Sequence, residues 1–93
     1  MKTISVQTFC VHYKVPTSFI DSLSHYELIQ LIEVETTLHI PIKEITKIER
    51  LMRLHYDLEV NFEGLDVINN MVSKINSLQS EVISLKNKLE FYE

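Results

Sequence analysis

From Asn61 to Phe91 the chain has no proline and a single glycine, Gly64, and its apolar residues recur at alternating spacings of three and four. Ile68, Ile75, Val82 and Leu89 share one heptad position, and Met71, Leu78, Leu85 and Tyr92 share the other. A stripe kept in register over this length predicts one continuous helix that pairs with a second helix. At 1.5 Å per residue the rod is about 45 Å long, more than the remaining residues can cover by folding back on it. These eight residues are therefore expected to form a dimerisation seam. Ser73, Asn76, Ser77, Ser80, Ser84 and Asn87 leave the outer face polar and weakly charged, so charge does not fix the orientation of the pair. Asn61 suits the N-cap of this helix, Val60 and Leu65 have the spacing of a hydrophobic staple, and Gly64 falls in the first turn.

The seam divides the chain into a head, residues 1–60, and a dimerisation helix, residues 61–93. In the head, Ser5 is placed to cap a short helix over 6–13, with Val6, Phe9, Cys10 and Tyr13 on one face. Lys14-Val15-Pro16 breaks it, because Pro16 drives the preceding residue into extended conformations. Ser18 with Asp21 resembles a capping box for a second helix over 19–30, with Phe19, Ile20, Leu23 and Tyr26 at helical spacing. Two short helices and a tight turn make a helix-turn-helix. Residues 31–40 are β-branched and alternating around Glu35-Thr36-Thr37, which predicts a small hairpin in the position of a wing. Pro41 then opens a third helix over 41–58. Its inner stripe runs through Ile42, Ile45, Ile48, Met52 and His55 or Tyr56, widened by Leu51, Leu54 and Leu58. The fold class is thus mainly α: a winged-helix type of helix-turn-helix head with a small hairpin, followed by a long coiled-coil helix.

Charge and residue types narrow the function. Nine Lys and Arg stand against 13 Asp and Glu, for a net charge of −4. The lone Cys10 has no partner for an internal disulfide, as expected of a reducing compartment, and its position in the first helix predicts core packing. The N-terminal residues lack the apolar run of a signal peptide, no stretch has the length of a membrane span, and a cytoplasmic location is expected. His12, His25, His39 and His55 are scattered singly, without the spacing of a metal site. No phosphate-cradling glycine loop or nucleophile elbow occurs, and the carboxylates lie on polar faces, so neither enzymatic activity nor a cofactor is expected.

DNA binding is the obvious use of a helix-turn-helix, and the residues argue against it. A recognition helix contacts base edges and phosphates with Arg, Lys, Asn and Gln. Residues 18–30 contain no Lys or Arg. Over residues 1–41, Lys2 and Lys14 face Asp21, Glu27, Glu33 and Glu35. Such a surface suits docking of a basic partner, with Tyr13 and Tyr26 as aromatic anchors, or serves simply as a solvated face. Residue chemistry alone leaves those two readings open.

Several segments in order resemble the CbpM-type chaperone modulators, which share a MerR-like head. They are Phe9-Cys10-Val11-His12, the Val15-Pro16-Thr17 turn, Arg53-Leu54-His55-Tyr56-Asp57-Leu58, Phe62-Glu63-Gly64-Leu65 and the tail from Ile75 to Leu89. The hairpin region is shorter than in that family, and Lys14-Val15-Pro16 replaces its glycine-containing turn. The resemblance implies a partner, the J-domain of a DnaJ-like co-chaperone, whose Hsp70-facing surface is basic and would be occluded on binding. The expected docking residues are Asp21, Glu27, Glu33 and Glu35 with Tyr13 and Tyr26. The alternative is a MerR-like DNA-binding transcriptional regulator, for which Lys43, Lys47, Arg50 and Arg53 on the third helix are the best support. Glu44, Glu49, Asp57 and Glu59 are spaced to pair with them. A structural adaptor whose coiled coil recruits a different protein is a third reading.

Overall fold

Ser5 caps the first helix as its chemistry requires: its Oγ accepts the backbone N–H of Thr8 at 3.1 Å. A computed structural model describes residues 2–92, and in it this helix, α1, runs Val6–Tyr13. It buries Val6, Phe9 and Cys10. It ends because Lys14 turns left-handed (φ 58°, ψ 44°), a conformation more usual for glycine, with its N–H donating to the Cys10 carbonyl. The second helix, α2, runs Thr17–His25 and buries Phe19, Ile20 and Leu23. The expected capping box is not made: extended Pro16 is the N-cap, and no side chain caps the helix. Nor does α2 continue to residue 30, since Glu27 turns left-handed (φ 58°) and sends Leu28 and Ile29 into the core.

The hairpin is present, and its sheet is larger than expected. Strands β2 (Ile32–Val34) and β3 (Thr37–Pro41) pair antiparallel, with Val34 opposite Thr37. The two-residue loop Glu35-Thr36 has φ of 50° and 66°, the signature of a type I′ turn built without Asn or Gly. A first strand, β1 (Thr3–Ser5), adds to the other edge of β3, giving the order β1-β3-β2. Three residues at the N-terminus carry too little alternation to be read as a strand from sequence; the pairing with β3 makes them one.

Pro41 ends β3 instead of opening a helix. A 3₁₀ turn, Ile42–Glu44, leads into α3 (Ile45–Met52), which buries Ile48 and Leu51. Ile42 and Leu58, both expected on the inner stripe, are exposed (48% and 68%). Ile42 precedes the regular helix, and Leu58 follows a π-helical turn, Arg53–Asp57, whose wider winding takes it off the α-helical period. Glu44 is buried beside Lys47, whose Nζ lies 3.5 Å from its carboxylate and donates to the Leu28 carbonyl at 3.1 Å.

The long helix, α4, runs Phe62–Tyr92. Asn61 caps it, accepting the Gly64 N–H on Oδ1 at 2.7 Å. Its first turn belongs to the core: Leu65 is fully buried, with Val60 and Phe62 packed against the same cluster. The resulting molecule measures 55 × 32 × 20 Å, its long dimension being that of a rod standing on a small head.

Candidate interaction surfaces

The residues expected to dock a partner occupy several elements. Asp21 is exposed on α2, Glu27 at the left-handed turn after it, Glu33 on β2 and Glu35 at the tip of the hairpin. None of these four carboxylates lines the grooves described below. The tyrosines are half-buried and their hydroxyls are engaged: Tyr13 donates to Glu49 at 2.9 Å and Tyr26 to Glu63 at 2.8 Å. Each hydrogen bond, with burial and carboxylate charge adding to it, pushes the phenol above its ordinary value, and the Tyr26 bond lowers Glu63. These tyrosines clamp elements together, α1 to α3 and α2 to α4, leaving their ring edges for contact.

Cys10 is core. Burial raises its thiol, and the Asp21 carboxylate adds to the shift, so the thiolate is disfavoured twice. Among the described residues no three His, Cys, Asp or Glu side chains are grouped to hold a metal ion, and no helix is long and apolar enough to cross a membrane.

Sequence inspection missed the region around the π-helical turn. Its ridge separates two shallow grooves. One, of about 640 Å³, is lined by Tyr13, Lys14, Met52 and Tyr56 among others; the second, of about 350 Å³, by Arg50, Leu54 and Leu58; Arg53 and Asp57 belong to both. The run Arg53–Leu58 was visible, but its pattern did not show that Arg53, Tyr56, Asp57 and Leu58 are exposed together beside these grooves. Inside the junction, the Phe62 ring stacks on His55 (centroids 4.7 Å apart) and lies 5.9 Å from both Tyr26 and Phe19. His55 Nδ1 is 2.9 Å from the Val60 carbonyl. This aromatic knot fixes the angle at which α4 leaves the head.

The seam is the largest unpartnered apolar surface. Met71, Ile75, Leu78, Val82, Leu85, Leu89 and Tyr92 are all exposed, while Ile68, nearest the head, is half-buried. Each such side chain contributes about 1.5–3 kcal/mol when buried, so covering this stripe would add substantially to stability.

The order helix, turn, helix, hairpin wing and third helix, capped by a long rod, is matched by one family model, MerR HTH family regulatory protein, over residues 4–87. The chain belongs to the MerR helix-turn-helix regulatory family. That family is not a class of enzymes. No curated protein and no solved structure matches the chain. The second helix of this helix-turn-helix, α2, includes neither Lys nor Arg in its nine residues Thr17–His25. Of the four cations on the third helical segment, Lys47 is already tied to Glu44 and the Leu28 carbonyl. Lys43, Arg50 and Arg53 have no carboxylate within ion-pair distance among the described residues.

Proposed function

We propose that this MerR-family chain is a chaperone modulator of the CbpM type, which pairs through α4 and docks its head on the J-domain of a DnaJ-like co-chaperone, occluding the surface that faces Hsp70. The observation that carries the reading is a helix-turn-helix whose second helix has no Lys or Arg, with an exposed carboxylate on it, Asp21, and three more, Glu27, Glu33 and Glu35, exposed on the segments that follow. Opposite charge on the partner speeds encounter and fixes register. Tyr13 and Tyr26, half-buried and held by Glu49 and Glu63, are the aromatic residues offered as anchors. The exposed seam Met71–Tyr92, with Ile68 at its head-proximal end, supplies the pairing surface. The head and the long helix, residues 1–60 and 61–93, divide these two tasks, and no cofactor takes part.

Calorimetric titration of the chain with the J-domain of a DnaJ-like protein from the same genome tests this. Saturable binding that weakens with added salt is the expected result; no heat and no complex at high concentration would remove the reading.

The family match also supports a second reading, a DNA-binding regulator. Its best cations are Lys43, Arg50 and Arg53, none of which has a carboxylate within ion-pair distance among the described residues. A phosphate-driven binder shows a steep loss of affinity with salt, so filter binding to duplex DNA across a salt series separates the two.

A further inference from the structure

The larger groove joins the turn between α1 and α2 to the π-helical turn, and its volume of about 640 Å³ lies in the range of small-ligand sites. Its two aromatic walls are fixed before anything binds. The Tyr13 hydroxyl donates to Glu49 at 2.9 Å, and the ring stacks on Phe9 with centroids 4.3 Å apart. The Tyr56 ring is braced by Phe19 at 5.2 Å and His55 at 4.8 Å, yet the residue is 47% exposed. Val15 and Met52, both half-buried, complete the apolar lining. Such walls suit a flat ring, which packs on tyrosine and on a thioether without ordering either.

Four charged side chains line the same groove, and they are not equivalent. Glu49 is already engaged by Tyr13. Lys14, Arg53 and Asp57 are exposed and have no opposite charge within ion-pair distance among the described residues. Arg53 and Asp57 are four residues apart, a spacing at which an α-helix brings such a pair together, and here they stay unpaired. Lys14 is held left-handed (φ 58°), a conformation rare outside glycine, at the groove's edge. A ligand that answers all three carries a carboxylate for the cations and an ammonium for Asp57, close together and beside a ring. A guanidinium takes a carboxylate through two parallel N–H donors, which also orients it. Ammonium and carboxylate share one carbon in a free α-amino acid, whereas an internal residue of a peptide has neither.

We propose that this groove binds a free aromatic α-amino acid in its zwitterionic form. The ring lies against Tyr13, Tyr56 and Met52, the carboxylate meets Arg53 and Lys14, and the ammonium meets Asp57. The site is separate from Asp21, Glu27, Glu33 and Glu35, so it does not depend on the docking proposed above. Occupancy ties residues 13–15 to residues 49–57, and with them the turn of the helix-turn-helix to the third helical segment.

Titration of the full chain with L-phenylalanine, followed through amide NMR shifts, tests the assignment. Saturable shifts centred on residues 13–15 and 49–57 are expected. 3-Phenylpropionate lacks the ammonium and phenethylamine lacks the carboxylate; each should bind about three- to tenfold more weakly, the scale of one exposed charged contact. Arg53→Ala should weaken L-phenylalanine by a similar factor and leave phenethylamine unchanged. Asp57→Asn should weaken L-phenylalanine and leave 3-phenylpropionate unchanged, a crossed pattern that a general loss of structure would not produce. Absence of saturable shifts, or shifts that map elsewhere, would overturn the proposal. So would L-leucine binding as tightly as L-phenylalanine, which would leave the rings without a role. Equal binding of N-acetyl-phenylalanine amide would also overturn it, and would make the groove a site for a peptide segment.

Discussion

Single residues in this molecule often carry conformations that composition alone would assign to glycine. Lys14, Glu27, Glu35, Thr36 and Glu59 all have positive φ, while the one glycine, Gly64, does not. Gly64 is needed for space: a Cβ there would lie 2.8 Å from Val60 Cγ1 and 3.1 Å from the capping Asn61 Oδ1. Helix propensity favours Gly64→Ala by about 1 kcal/mol, and crowding of this kind costs roughly 1–3 kcal/mol, so a net loss is expected. Thermal unfolding of the variant should show a lower midpoint. Tyr26 offers a pH test. Its hydroxyl holds the Glu63 carboxyl below the ordinary value of 4.5, so the contribution is present above that pH and lost as pH falls through the lowered value. Tyr26→Phe should therefore be less stable than wild type at neutral pH, and the difference should shrink as pH falls below the ordinary carboxylate range and Glu63 is protonated. Acid titration followed by circular dichroism of both proteins reads this directly.

At the scale of elements, the helices with strong periodicity and good caps were legible from sequence: α1 with Ser5, α4 with Asn61 and the buried faces of both short helices. Boundaries set by backbone turns were not. Glu27 ends α2 early, Pro41 serves β3, and a π-helical turn follows α3, because side-chain pattern says little about where a non-glycine residue will turn left-handed. The hairpin turn is a case where sequence and backbone disagree. Thr36, β-branched, sits at φ 66°, so Thr36→Gly should stabilise the head by about 0.5–1 kcal/mol despite the added freedom of the unfolded chain. A higher melting midpoint is the expected readout. For α4, Leu78→Lys with Leu85→Lys puts two charges on the exposed seam and should give a monomer of reduced helicity. Light scattering at about 10.9 kDa, rather than twice that, is the expected mass.

For the whole molecule, charge placement bears on the proposed function more than fold does, since the MerR family's helix-turn-helix here has exposed carboxylates at Asp21, Glu27, Glu33 and Glu35 and no Lys or Arg on its second helix. Asp21→Lys with Glu27→Lys should lower J-domain affinity about five- to tenfold at low salt while leaving the core intact, because both side chains are exposed. Unchanged affinity in calorimetry would move the docking face elsewhere on the head. The sequence by itself determined the helical class, the long rod and its apolar stripe, and the absence of cations from the second helix, because periodicity and residue chemistry are local properties. Tertiary structure decided what pairing and packing decide. It recruited Thr3–Ser5 into a sheet, bound the anchor tyrosines to Glu49 and Glu63, and buried Leu65 so that the rod is rooted in the head. It also opened the larger groove beside Arg53, because its walls come from residues 13–15 and 49–57, which meet only when the core closes.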